Sequence, residues 1–225
     1  MAFKYKDVVP WGRNYDEYRS MFDLKEYELN LKILGCGDGP ANFNYECNKR
    51  GGNVISIDPV YNLSKEEIQE RIAETYQDVL TQTEKNRDKF RWDRIKSVNE
   101  LGRTRMTAMQ LFLEDYERGK IEKRYIPASL PDLPFPDREF DISLCSHFLF
   151  LYTDNLSYGF HVDALKEMLR VAKEVRIFPL LDVNAEKSSY VENILFDFKE
   201  MEIDIKQVNY EFQIGGNELL AIRNP

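Results

Sequence analysis

Cysteine, histidine and long apolar runs are all scarce in this chain of 225 residues. The three cysteines, Cys36, Cys47 and Cys145, form no CxxC pair and keep no ligand spacing with the two histidines. An odd, scattered set argues against a disulfide framework and a structural zinc site, and no metal is expected. It fits a reducing compartment, the cytoplasm. The most apolar stretch, residues 142–152, is broken by Ser146 and His147. It falls short of the roughly 20 apolar residues that a membrane span needs. Residues 1–10 lack the apolar centre of a secretory signal. Excess positive charge is missing too: 31 basic residues stand against 39 acidic ones, a net −8. Such a surface repels phosphate backbones, so neither nucleic acid nor a membrane is expected as a partner. What is present is 43% hydrophobic residues, enough for a sizeable core. The length suits a single domain, 1–225.

The pattern along the chain is one of alternating strands and helices. Asn14 with Glu17 reads as a capping box for a short helix over 14–23. A strand at 31–34 runs into Gly35-Cys36-Gly37-Asp38-Gly39. Pro40 follows at the position where proline favours the first turn of a helix. That helix is expected to stop at Gly51-Gly52. A second strand, 53–57, looks buried on both faces. Two further capping-box signatures, Ser64 with Glu67 and Ser97 with Glu100, open helices carrying apolar stripes. They define a helical insertion over 63–120, larger than a single crossover helix. Strands are expected at 123–128, 140–146 and 174–181, and helices at 161–173 and near 188–200. Two closing strands, 203–212 and 217–223, are joined through Gly215-Gly216 and should run antiparallel. The order implies an α/β fold, a doubly wound and mostly parallel seven-stranded sheet with right-handed crossovers.

The glycine loop between strand and helix lets the backbone bend and approach a ligand, and the helix start offers N–H groups and a positive dipole end. Asp58 ends the next strand, 19 residues after Gly39. A carboxylate there can accept hydrogen bonds from both ribose hydroxyls of a nucleoside. A nicotinamide-binding domain competes for this pattern, but it requires G-x-G-x-x-G, and Pro40 stands at the last glycine.

Leu133-Pro134-Phe135-Pro136-Asp137-Arg138-Glu139-Phe140-Asp141 resembles the "LPF-x-D-x-x-FD" segment of class I S-adenosylmethionine-dependent methyltransferases, in the branch similar to quinone-biosynthesis enzymes. The likeness covers about residues 31–62 and 123–182. It implies the Rossmann-like methyltransferase fold and S-adenosylmethionine as cofactor. It also implies that Gly35, Gly37 and Gly39 hold the methionine portion, Asp58 the ribose, and Ser129 and Leu130 the adenine. Ser146 and His147 would face the methyl group. Two positions depart from the family. Ile33 replaces an acid two residues before the first glycine, leaving Asp38 or a backbone carbonyl to hold the amino group. Ser129 replaces an aspartate and can accept a hydrogen bond without the charge.

Methyl transfer needs alignment more than covalent help, and a base only where the acceptor loses a proton. His147 and His161 both fall at the carboxyl edge of the sheet and are the candidate catalytic residues. The resemblance thus implies a methyltransferase acting on a small-molecule acceptor by direct displacement. An aminopropyl or alkyl transferase on the same fold, and a non-catalytic S-adenosylmethionine-binding partner protein, are the alternatives. Trp11, Tyr15 and Tyr18, within an N-terminal cap segment, 1–30, could meet a sulfonium or a quaternary acceptor by cation–π contact but read first as helix packing. Arg13 could meet an acidic acceptor but reads first as solvated. The insertion suits a lid over the acceptor pocket or the interface of a homodimer.

Overall fold

The computed structural model describes residues 9–224. Seven strands form one sheet: β1 (Lys32–Cys36), β2 (Asn53–Ile57), β3 (Tyr125–Ile126), β4 (Phe140–Ser146), β5 (Ala172–Phe178), β6 (Glu202–Gln207) and β7 (Glu218–Arg223). Their order is β3-β2-β1-β4-β5-β7-β6. Only β7 is reversed, pairing antiparallel with both β5 and β6. This is the doubly wound, mostly parallel fold that the sequence implies.

Both faces of the central strands are covered, which is why they read as near-continuous apolar runs. Leu34 and Cys36 of β1 join one core cluster, beneath Leu165, Met168 and Ile194. Ile33 and Leu144 join the other, beneath Tyr18, Phe22 and Phe43. These overlying residues come from α1 (Tyr15–Met21), α2 (Phe43–Lys49), α5 (Tyr158–Val171) and α6 (Val191–Asp197), with Phe22 capping α1. The cysteines are free and buried, acting as small core residues. Among the described residues no helix is long and apolar enough to cross a membrane.

The insertion contributes α3 (Lys65–Lys85) and α4 (Val98–Ile121). Ile68 and Ile72 of α3 pack against Met109, Phe112, Leu113 and Tyr116 of α4, around Tyr61 and Tyr125. Arg124 ties α4 to the sheet through Asp115, at 2.7 and 2.9 Å, and reaches Asn44 of α2 at 2.7 Å.

Capping chemistry set several boundaries as expected. Both halves of the box form at Asn14/Glu17 and at Ser64/Glu67. At Ser97 only half forms: its hydroxyl accepts from the Glu100 amide, while the Glu100 carboxylate turns to the Lys96 amide at 2.8 Å. Other boundaries move. The helix expected to begin at Pro40 begins at Phe43, because Gly39 and Pro40 form a turn whose Gly39 amide donates to Asp58 and whose Gly39 carbonyl accepts from Tyr61 Oη. The strand expected over 123–128 shortens to two residues, since the chain after Ile126 leaves the sheet edge. The strand expected over 203–212 ends at Gln207, and Tyr210 and Phe212 turn inward to line a cavity.

Candidate functional site

Parallel register brings the chemistry together. Cys36 pairs with Ile57 on one side and with Cys145 on the other. The glycine loop, Asp58 and the Ser146–His147 step therefore leave the sheet side by side at its carboxyl edge, where open α/β sheets bind ligands.

A cavity of about 780 Å³ opens there. It is lined by Gly37, Asp38, Gly39, Asp58, Ser129, Leu130, Ser146 and His147, together with Trp11, Arg13 and Tyr18 from the N-terminal segment. Arg71, Glu74 and Thr75 of α3 supply part of its wall. Gly37 and Gly39 have φ of +67° and +52°, a left-handed conformation that glycine adopts without strain. A Cβ on Gly37 would also come within 3.1 Å of the Phe148 ring.

Two of the loop's amides, those of Gly37 and Gly39, are not free, contrary to the expectation of an anion-binding helix start. The Gly37 amide donates to the Ile57 carbonyl at 2.9 Å. The Gly39 amide donates to Asp58 Oδ2 at 2.9 Å. Asp58 Oδ1 accepts from the Val60 amide at 2.8 Å. Asp58 thus staples the glycine loop to the turn after β2 while its remaining lone pairs face the cavity. Burial raises its pKa, against the lowering effect of the two amides.

Asp38 lies deeper. Tyr18 Oη donates to its Oδ1 at 2.8 Å, and Ser56 Oγ to its Oδ2 at 2.6 Å. Its carboxylate fills the space above Gly35, where a Cβ would sit 1.8 Å from Oδ2. Burial pushes its pKa up to about 6, opposed by the two hydroxyl donors and assisted by the charge of Asp58. Ile33, where the family places its acid, is fully buried in the core. The acidic side chain of this region is therefore supplied from the loop instead of the strand.

His147 follows β4 with φ +51°, an uncommon conformation for a residue with a Cβ. Its amide donates to the Phe178 carbonyl at 2.7 Å, and its Nδ1 lies 3.0 Å from Ser146 Oγ. Burial holds its pKa well below the ordinary value, reinforced by Arg13 and Arg105. The ring is neutral near pH 7 and a weak base.

His161 lies elsewhere. It is fully buried in α5. Its Nδ1 sits 2.9 Å from the Ser157 carbonyl and its Nε2 2.9 Å from the Leu149 carbonyl. Both ring nitrogens are engaged with backbone and neither faces a cavity, so the expectation that it meets the acceptor is corrected. The helix begins at Tyr158, and His161 falls on its inner face one turn in.

The N-terminal segment also differs from its reading. Tyr15 and Tyr18 do pack as a helix face, with Tyr18 stacked on Phe43 at 4.6 Å. Arg13, expected to be solvated, lines the cavity, and its Nε is buried without a partner. Beneath it lies an ion pair that no local pattern signals. Arg105 of α4 donates to Glu17 Oε2, and Tyr210 Oη donates to Glu17 Oε1 at 2.8 Å. Burial alone would raise the Glu17 pKa, but the Arg105 charge and hydrogen bond hold it below the ordinary value.

A second cavity of about 100 Å³ adjoins the first. Val9, Trp11, Arg13 and His147 line both. Val79, Thr83 and Leu101 of the insertion and Tyr210 and Phe212 complete much of the smaller one.

No family model matches the chain. An uncharacterized protein of Methanocaldococcus jannaschii, MJ0045, is 42% identical over 223 residues, 97% of each chain. Among solved structures, the pyocyanin biosynthetic protein PhzM superposes with a TM-score of 0.50 at 8% identity, over 93% of this chain and 54% of that one. An S-adenosylmethionine-dependent methyltransferase from Aquifex aeolicus gives a TM-score of 0.46 at 14% identity, over 92% and 90%. These structural likenesses concern the fold. The identity to the Methanocaldococcus protein, over nearly all of both chains, shows that the two belong to one family.

Proposed function

We propose that this chain, and with it the family it shares with the Methanocaldococcus protein, is an S-adenosylmethionine-dependent methyltransferase acting on a small-molecule acceptor. The observation that carries this reading is the charge of the larger cavity at the glycine loop. Two carboxylates, Asp38 and Asp58, line it, while the amides of Gly37 and Gly39 are already bonded within the protein. A dinucleotide pyrophosphate is held by free amides at the helix start, whereas here the two glycine amides are taken and the Asp38 carboxylate stands at the loop. A cationic nucleoside with an ammonium and a sulfonium suits this lining.

When bound, S-adenosylmethionine supplies a methyl carbon already activated by the sulfonium. Asp58 accepts from the ribose hydroxyls, as its position at the end of β2 allows. Ser129 and Leu130 bound the adenine. Asp38 faces the ammonium and takes the part of the acid that the family carries at Ile33. Gly37 and Gly39 keep the backbone low enough for close approach. His147 and Ser146 line the side from which an acceptor would come. With its pKa depressed, His147 orients an acceptor group or accepts a proton only from an acidic one.

The test is incubation of the protein with S-adenosylmethionine and a panel of small acceptors, with the nucleoside product identified by mass spectrometry. S-adenosylhomocysteine is the expected product. Methylthioadenosine in its place would indicate alkyl transfer. Tight binding with no turnover on any acceptor would support a binding protein instead.

A further inference from the structure

The smaller cavity carries information about the acceptor. Beyond the residues it shares with the larger one, its wall is mostly apolar, with Phe90, Leu101, Leu151, Phe178 and Phe212 prominent. Apolar cavities of about 150 Å³ stay dry and admit a benzene ring, so this one is on the scale of a single ring. Arg13 is the cation in that wall. Its Nη1 donates to the Trp11 carbonyl at 2.8 Å, and its Nε is buried with no partner. Glu17, the nearby carboxylate, is committed to Arg105 and Tyr210. A half-buried guanidinium whose Nε has no partner is costly to keep, and its planar fork matches a carboxylate. It remains charged at neutral pH, although burial and the Arg105 charge bring its pKa down to about 10.

We propose that the smaller cavity is the acceptor subsite and that it takes a compound with a ring-sized apolar body and a carboxylate held by Arg13. The assignment rests on the cofactor reading for where the methyl arrives: Trp11 and His147, shared by both cavities, mark that boundary. The shape favours the body and the Arg13 guanidinium in the wall favours the anion, so the two features select together. A neutral ring would leave the guanidinium unpaired, and an acyclic anion would leave the aromatic wall uncovered.

The probes are benzoate and its neutral isostere benzamide, titrated by ligand-observed NMR into the full chain with and without S-adenosylhomocysteine. Wild-type protein is expected to bind benzoate at least about tenfold more tightly than benzamide, since hydrogen bonds to charged groups contribute about 1.5–3 kcal/mol. Arg13→Met should abolish the preference, and Arg13→Lys should retain part of it and control for folding. S-adenosylhomocysteine affinity should stay within about threefold in both variants. Equal binding of the two probes, or a preference that survives Arg13→Met, would overturn the proposal. So would loss of S-adenosylhomocysteine affinity with the preference intact, which would assign Arg13 to the cofactor's own carboxylate. If S-adenosylhomocysteine does not bind the wild type at all, the cofactor reading falls. The titration without it then decides the anion subsite separately.

Discussion

The larger cavity centres on the loops that leave neighbouring strands, with the N-terminal segment and α3 completing its wall, whereas the smaller one reaches on to the link between β6 and β7. Residues 37–39, 57–60 and 128–130 line the first from the ends of three neighbouring parallel strands, β1, β2 and β3. The second takes Trp11 from the N-terminal segment, Thr83 and Leu101 from the insertion, and Tyr210 and Phe212 from the link between β6 and β7. The first sets the carboxylates of Asp38, Asp58 and Glu74 beside the guanidiniums of Arg13 and Arg71, with Asp38 and Asp58 held by hydrogen bonds within the protein. The second is apolar, with a guanidinium beside it that has a donor to spare. A cofactor pocket can be specified by a local motif on a generic fold, but an acceptor pocket depends on whatever that fold has been given to cover the sheet edge.

The sharpest way to break the contrast is to remove the ion pair beneath the second cavity. Glu17→Gln leaves Arg105, which is fully buried, without a counter-charge. Loss of one partner of a buried pair costs about 3–5 kcal/mol. Urea denaturation should show that loss, and an unchanged midpoint would show that the pair does not hold the N-terminal helix to the insertion.

Asp58→Ala tests the first cavity. It removes two backbone hydrogen bonds and the group assigned to the ribose, so S-adenosylhomocysteine affinity should fall by about 1–3 kcal/mol. Calorimetry showing no change would detach Asp58 from the nucleoside.

The difference in charge gives a pH dependence. Asp38 has a pKa of about 6 in the folded chain, above the ordinary carboxylate value because of burial. The ligand's ammonium group prefers the ionised form of Asp38, so affinity should be full above pH 7 and fall as pH drops through 6. Between pH 7 and 5 the expected loss in S-adenosylhomocysteine affinity is roughly tenfold, as follows from one group titrating at the midpoint. Asp38→Asn should flatten the profile. A wild-type profile without that slope would remove Asp38 from the ammonium site.

The smallest expected effect sharpens the boundary between the cavities. His147→Ala should leave S-adenosylhomocysteine affinity within about threefold, under roughly 0.7 kcal/mol. Turnover, once an acceptor is known, should fall by about tenfold or more if the ring moves a proton. A large loss of cofactor affinity with normal stability would place His147 in the cofactor's shell.

The same contrast explains what the sequence made legible. The succession of strands and helices, the antiparallel closing pair, the capping boxes at Asn14 and Ser64, and the positions of Gly37, Gly39 and Asp58 are all local signals, and each appears in the structure. The misreadings concern groups whose surroundings come from far along the chain. Arg13 looks like any charged surface residue until Trp11 and the insertion enclose it. His161 looks available until the carbonyl of Leu149 arrives at its Nε2. The bond from Tyr18 to Asp38 spans 20 residues and that from Tyr210 to Glu17 spans 193. No periodicity reports such pairings. The Ile33 departure was visible, and the donors that hold the Asp38 carboxylate, Tyr18 and Ser56, were not.

The most direct test of the account is a calorimetric titration of the wild-type chain at pH 7.5, a working condition of roughly neutral pH, with S-adenosylhomocysteine and with NAD in parallel. One S-adenosylhomocysteine should bind per chain and NAD should not, because the bonded amides of Gly37 and Gly39 and the carboxylate of Asp38 leave no place for a pyrophosphate at the loop. Binding of NAD with no response to S-adenosylhomocysteine would contradict it.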